Sequence, residues 1–170
     1  MEFETIIYNG TVVTLDDRTG IITDGWIGIS GGIIRAVESG QPELAPGDVS
    51  LAIDAAGGIV MPGLVNAHTH LPMTLFRGLA DDLPLAAWLD DHIFPAEGRF
   101  MGPETVRWGT LLAAAEMLLS GTTCCGDGYF YEDAVARAIS ETGLRAVLGQ
   151  GVVDFPAPGV PDPAQNVARA

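Results

Sequence analysis

The sequence predicts an α/β fold in which parallel βα units follow a small sheet unit. Three observations predict it: short β-rich runs separated by turn residues up to about residue 57, a nearly continuous apolar run after Gly57, and strand and helix patterns that alternate from there on. The expected division is residues 1–57 for the sheet unit and 58–170 for the βα part.

In the first part, "FETIIY" and "TVVTL" read as strands joined at Asn9-Gly10, a strong hairpin signal between apolar runs. "GWIGIS" and "IIRAVE" follow, joined at Gly31-Gly32, with Ile27 and Ile29 on one face by two-residue alternation. "SGQPELAPGDVS" reads as a loop and "LAIDA" as one more short strand, so an antiparallel sheet is expected, too small to stand alone. "GGIVMPGLVNAH" then reads as one strand buried on both faces, because Val, Ile and Leu run almost without interruption.

A helix is expected near Pro84, with Asp82 at its cap and Leu85, Trp88 and Leu89 on one face. A second opens at "GPETV" and carries Val106, Thr110, Ala113 and Met117 at helical spacing until Gly121. "TTCCGDGYF" is the next strand, "YEDAVARAISETG" a helix closed by Gly143, and "LRAVLGQGVVDF" a third strand. Asp162 and Pro163 open a further helix near the end. A closed barrel of eight such units takes about 250 residues, and three parallel strands with a bare edge make a poor isolated fold. The 170 residues are therefore expected to be the N-terminal portion of a longer, barrel-type protein.

Charge narrows the partners. Twenty-two acidic against eight basic residues leave a net charge of −14, which repels phosphate backbones and anionic lipid surfaces. All the basic residues are arginines, so lysine chemistry such as a Schiff base is excluded for this chain. Nothing resembles a secretory leader or approaches the roughly 18 apolar residues of a membrane helix, so a cytoplasmic location is expected. The two adjacent cysteines, Cys124 and Cys125, read as reduced, half-buried thiols.

The chemistry-bearing element is "NAHTH" at the end of the apolar run. Residues two apart on a strand point the same way, so Asn66, His68 and His70 share a face and both imidazoles can converge on one ion. At the C-terminal end of a barrel strand this face opens on the mouth of the barrel. The third histidine, His92, lies beside Asp90 and Asp91 and reads as a surface residue paired with an acid. Asp127 ends the second βα strand and is expected to cap the next helix or to support the site from behind. The glycine pairs in "GISGGII" and "AAGGIV" are turns without a following helix, so they do not cradle phosphate.

"IDAAGGIVMPGLVNAHTHLPMTLFRGLADDLPLAAWLDDHIFPAE" resembles the amidohydrolase superfamily, and "MTLFRGLADDLPLAAWL" narrows the likeness to its 5-methylthioadenosine/S-adenosylhomocysteine deaminase and triazine chlorohydrolase branch. The resemblance implies a metal-dependent (β/α)8 barrel with a small β-sandwich, here its first three βα units and the N-terminal portion of the sandwich. It implies that His68 and His70 are the first two ligands of one Zn2+, or another divalent ion such as Fe2+, with the remaining ligands and the general acid on later strands. No catalytic residue is then expected within this chain. It further implies that Glu97 in "FPAEGRF" binds substrate hydroxyls and that Trp88 lies near the substrate. By spacing alone, Glu97 reads as a solvated acid at a helix end.

The expected function of the complete protein is hydrolysis of a carbon–nitrogen bond, deaminating a purine nucleoside-like or other N-heterocyclic small molecule; the 170 residues alone are expected to be inactive. Nucleic acid and membrane are not expected partners, and a homo-oligomer is allowed. A two-metal cyclic amidase and a non-catalytic barrel fragment are the alternatives. Where relatives acting on carboxylate-tailed substrates carry an arginine, this chain has Gln150, which weighs against S-adenosylhomocysteine.

Overall fold

The computed structural model describes residues 3–43 and 46–169. Leu44 and Ala45 of the expected loop, and Ala170 of the helix expected near the end, lie outside the described residues. The chain forms two compact units, Met1–Pro62 and Gly63–Ala170.

The first unit is a mixed sheet rather than the expected antiparallel one. Strand β1 (Thr5–Val13) pairs antiparallel with β2 (Ile21–Ser30), which pairs antiparallel with β3 (Ile33–Ser39). On its other edge β1 runs parallel to β4 (Leu51–Asp54) and then to β5 (Ile59–Val60). Asn9-Gly10 is not a hairpin but an irregularity within β1, flanked by two register shifts. Asn9 takes the left-handed conformation at φ 57° and its side chain donates to Asp54 Oδ1 at 2.7 Å. A Cβ on Gly10 would sit 2.9 Å from Val60 and 3.0 Å from Ala55, so glycine there admits a close approach that bends β1 from one partner strand to the next. The hairpin signal was local; pairing with β4 and β5 overrode it. Gly31-Gly32 does turn β2 into β3, both residues at positive φ. The core here is Ile6 with Phe3 packed edge-on against Trp26, ring centroids 5.7 Å apart.

The single strand expected over "GGIVMPGLVNAH" is divided. Ile59–Val60 belongs to the first sheet, while β6 (Leu64–Thr69) opens the second, because Pro62 has no N–H to continue a ladder. Nor is β6 buried: Val65 is 67 % exposed, since among the described residues only β7 (Thr122–Tyr129) pairs with it. The second sheet has the order β6, β7, β8 (Arg145–Gln150), all parallel. The helix expected near Pro84 is broken into α1 (Leu85–Trp88), a π turn (Leu89–Ile93) and α2 (Phe94–Phe100), with Pro95 withholding the N–H that would carry one regular ladder through.

Helices α3 (Pro103–Leu119) and α4 (Glu132–Thr142) provide the crossovers from β6 to β7 and from β7 to β8. Val106, Thr110 and Ala113 of α3 are buried as the helical spacing requires. Val106 and Ala113 pack into a core with Cys125, Tyr129, Val135 and Ile139. Gly143 closes α4 in the left-handed conformation. Cys124 is half-buried and Cys125 fully buried, both free thiols. Asp162 accepts from the Ala164 amide at 3.1 Å and opens a 3-10 turn that leads into α5 (Asn166–Arg169). No described helix is long and apolar enough to cross a membrane.

Candidate functional site

The candidate site lies at the C-terminal end of β6 and β7. Thr69 pairs with Asp127 and Asn66 with Cys125, so β6 holds one residue more than β7 across that interval and bulges between Asn66 and Thr69. The His68 amide donates to Asn66 Oδ1 at 3.3 Å inside this bulge. His70 stands just beyond the strand, at the start of a 3-10 turn over Leu71–Phe76. The two imidazoles converge, with their Nε2 atoms 3.4 Å apart and their rings edge to face.

One hydrogen bond sets the proton of His70. Its Nδ1 lies 2.6 Å from the Gly128 carbonyl oxygen, which can only accept, so Nδ1 carries the hydrogen and Nε2 of the neutral ring offers a lone pair. That is how a metal-ligating histidine is oriented, its far nitrogen held by a carbonyl. A separation of 3.4 Å is also one that a single ion, about 2.1 Å from each nitrogen, can bridge. Among the described residues no group of three or more His, Cys, Asp and Glu side chains gathers around a common point, so no third such side chain joins the two imidazoles.

Asp127 supports the turn that carries His70 and does not cap α4. Its Oδ1 accepts from Thr69 Oγ1 at 2.6 Å and from the Leu71 amide at 2.7 Å, the residues on either side of His70. The start of α4 is served instead by Gln150, whose Oε1 accepts from the Glu132 amide at 3.2 Å. Buried Asp127 and Glu132 perturb each other: burial raises both carboxyls, and with the charge of Asp127 added, Glu132 is pushed up to about 7. Asp127 Oδ2 and both Glu132 oxygens are buried without a hydrogen bond of ordinary geometry, which leaves the charged forms of both carboxyls poorly compensated.

Glu97 is not a solvated acid. It is only 5 % exposed and accepts a hydrogen bond from the Tyr129 hydroxyl at 2.7 Å. Burial pushes its carboxyl above the ordinary value, opposed by the Tyr129 hydroxyl and the nearby His70. The same surroundings, burial first and then Glu97, drive the Tyr129 phenol far upward, so it stays a protonated donor. Beside these groups opens a mostly apolar cavity of about 350 Å³, lined by His70, Trp88, Phe94, Glu97, Tyr129 and Phe155 among others. His92 stands apart, half-buried in the π turn, and among the described residues no ion pair joins it to Asp90 or Asp91.

Thus His70, Glu97 and Trp88 share one cavity, with His68 against His70. Sequence reasoning missed Tyr129. The signal was available: Cys125, Asp127 and Tyr129 alternate on β7 and all three are buried, so the face that carries Asp127 also carries Tyr129.

The parallel strand order, the helical crossovers and an imidazole pair at a strand's C-terminal end define the opening units of a (β/α)8 barrel. The chain belongs to the amidohydrolase family, whose family model matches residues 59–170. It is 45 % identical over 165 residues to 5-methylthioadenosine/S-adenosylhomocysteine deaminase 1 of Syntrophus aciditrophicus, covering 97 % of this chain and 37 % of the relative. It is 48 % identical over 149 residues to the 5'-deoxyadenosine deaminase of Methanothermobacter thermautotrophicus, covering 83 % and 35 %. Among solved structures, a zinc-bound adenosine deaminase from Xanthomonas campestris superimposes with a TM-score of 0.87 at 39 % identity, over 98 % of this chain and 38 % of that one. The chain therefore spans somewhat more than a third of the length of the proteins it matches.

Proposed function

We propose that the complete protein is a metal-dependent deaminase of a purine nucleoside-like substrate, and that His68 and His70 are its first two metal ligands. The observation that carries this reading is the convergence of the two Nε2 atoms, 3.4 Å apart, at the rim of an apolar cavity that also holds Glu97. The deaminase names of the relatives and the zinc in the adenosine deaminase structure support the reaction class and the ion.

A divalent ion such as Zn2+, held in part by His68 and His70, would supply Lewis acidity and so make water a nucleophile near neutral pH. His70 offers Nε2 because the Gly128 carbonyl holds its Nδ1–H, and Asp127 steadies the turn on both sides of that ring. Trp88, Phe94 and Phe155 give the cavity apolar walls suited to a flat heterocycle. Glu97 accepts hydrogen bonds from substrate hydroxyls and is not the base. In the net reaction water replaces the amino group on an electron-poor ring carbon, and ammonia leaves. Gln150 lends its side-chain oxygen to the Glu132 amide and brings no positive charge, which favours uncharged nucleosides over substrates with a carboxylate tail.

Two imidazoles coordinate weakly, so the 170-residue chain by itself is inactive. Ammonia release from adenosine and 5'-methylthioadenosine is the assay, run with the complete barrel and with this chain alone. Turnover by the complete protein, lost in His68→Ala and His70→Ala together with its zinc, is the expected result; full metal content in both variants overturns the ligand assignment.

A further inference from the structure

We propose that Tyr129 is a positioning residue for Glu97, holding one carboxylate oxygen so that the other is presented to a hydroxyl-bearing substrate. This rests on the reading of Glu97 as the hydroxyl acceptor and adds the residue that makes it selective. The Tyr129 hydroxyl donates to Glu97 Oε1 at 2.7 Å, and both residues line the cavity. Glu97 Oε2 has no protein donor among the described hydrogen bonds. A carboxylate held by one donor and open on its second oxygen is an acceptor waiting for a hydroxyl, and its position no longer costs entropy when the substrate arrives.

The placement of Tyr129 gives this contact a wider reach. Glu97 lies on α2 and Tyr129 at the end of β7, so the hydrogen bond ties the helix to the strand whose Gly128 carbonyl contacts His70. Gly128, the residue before Tyr129, fixes His70 through its carbonyl oxygen at 2.6 Å. Two consecutive residues of β7 thus set both ends of the cavity, the imidazole and the hydroxyl acceptor, and through them the distance between a substrate's reacting end and its hydroxyl end. The Tyr129 ring is wedged between His70 and Phe130, with centroids 6.1 and 5.2 Å away, so removing only its hydroxyl leaves the packing in place.

The test uses Tyr129→Phe in the metal-loaded complete protein, with adenosine and 2',3'-dideoxyadenosine as substrates and inosine and 2',3'-dideoxyinosine as unreactive ligands in equilibrium dialysis. In the unsubstituted protein the hydroxylated partner of each pair binds more tightly. In Tyr129→Phe the KM for adenosine and the dissociation constant for inosine rise about tenfold, those for the dideoxy compounds change less than twofold, and the loss falls on KM rather than kcat. Equal weakening of both members of each pair, or unchanged inosine binding, overturns the proposal. Glu97→Gln separates the two levels of the argument. If it abolishes hydroxyl discrimination while Tyr129→Phe does not, Tyr129 is merely structural and the reading of Glu97 stands. If the unsubstituted protein shows no hydroxyl discrimination, both fall.

Discussion

Two buried acids have opposite fates at this site. Glu97 gains a hydroxyl donor from Tyr129, whereas Glu132 meets another carboxyl, Asp127. The consequence is a pH dependence of stability with a definite sign. Glu132 titrates near 7 in the folded chain against an ordinary 4.5, so between these values the folded state holds a proton that the unfolded state has released. Stability from this group is fully present below about 4.5 and falls as pH rises through about 7. Denaturant melts between pH 4.5 and 7.5 should therefore show the unsubstituted chain losing stability relative to Glu132→Gln as the pH rises, and a constant difference between the two would contradict the assignment. The histidine pair was legible in the sequence because His-x-His after an apolar strand is a local pattern. The roles of Tyr129 and Glu132 were not, because a residue's burial and its partner across 32 or 5 positions are decided by packing.

Where elements meet, the contact between α3 and the turn that follows His70 is made possible by an absent side chain. A Cβ on Gly109 would lie 2.7 Å from the Pro72 carbonyl oxygen and 2.9 Å from its Cα, backbone atoms that cannot swing aside. Gly109→Ala should cost about 1–3 kcal/mol in urea denaturation despite the better helix propensity of alanine. The Arg107–Glu141 ion pair between α3 and α4, at 2.6 Å but partly exposed on both sides, is a useful contrast: Arg107→Ala should cost no more than about 1 kcal/mol in the same measurement. Periodicity located α3, α4, β7 and β8 because each has a run long enough to repeat. It misread Asn9-Gly10 and "GGIVMPGLVNAH" because a bulge and a strand break have the same local composition as a hairpin and a continuous strand. Which one forms depends on β4, β5 and β7, the strands that pair there.

Over the whole chain, the apolar surface of the second sheet exceeds what its own helices cover. Leu64, Val65 and Val147 are 52, 67 and 74 % exposed, on strands that in a closed barrel have neighbours on either side. The isolated 170-residue chain should therefore self-associate and bind a hydrophobic dye, and because its net charge of −14 opposes association, added salt should strengthen it. Sedimentation velocity at low and high ionic strength checks this; a monomer at both would contradict it.

By itself the sequence determined the strand–helix alternation and parallel βα character of the second unit and the identity of the imidazole pair, since these follow from residue type and short-range spacing. Only the tertiary structure decided that Gly128 fixes the tautomer of His70, that Tyr129 holds Glu97, and that Asp127 braces the turn around His70 instead of capping α4. Each of these contacts joins groups from different elements, and their geometry comes into being only when the strands and helices pack.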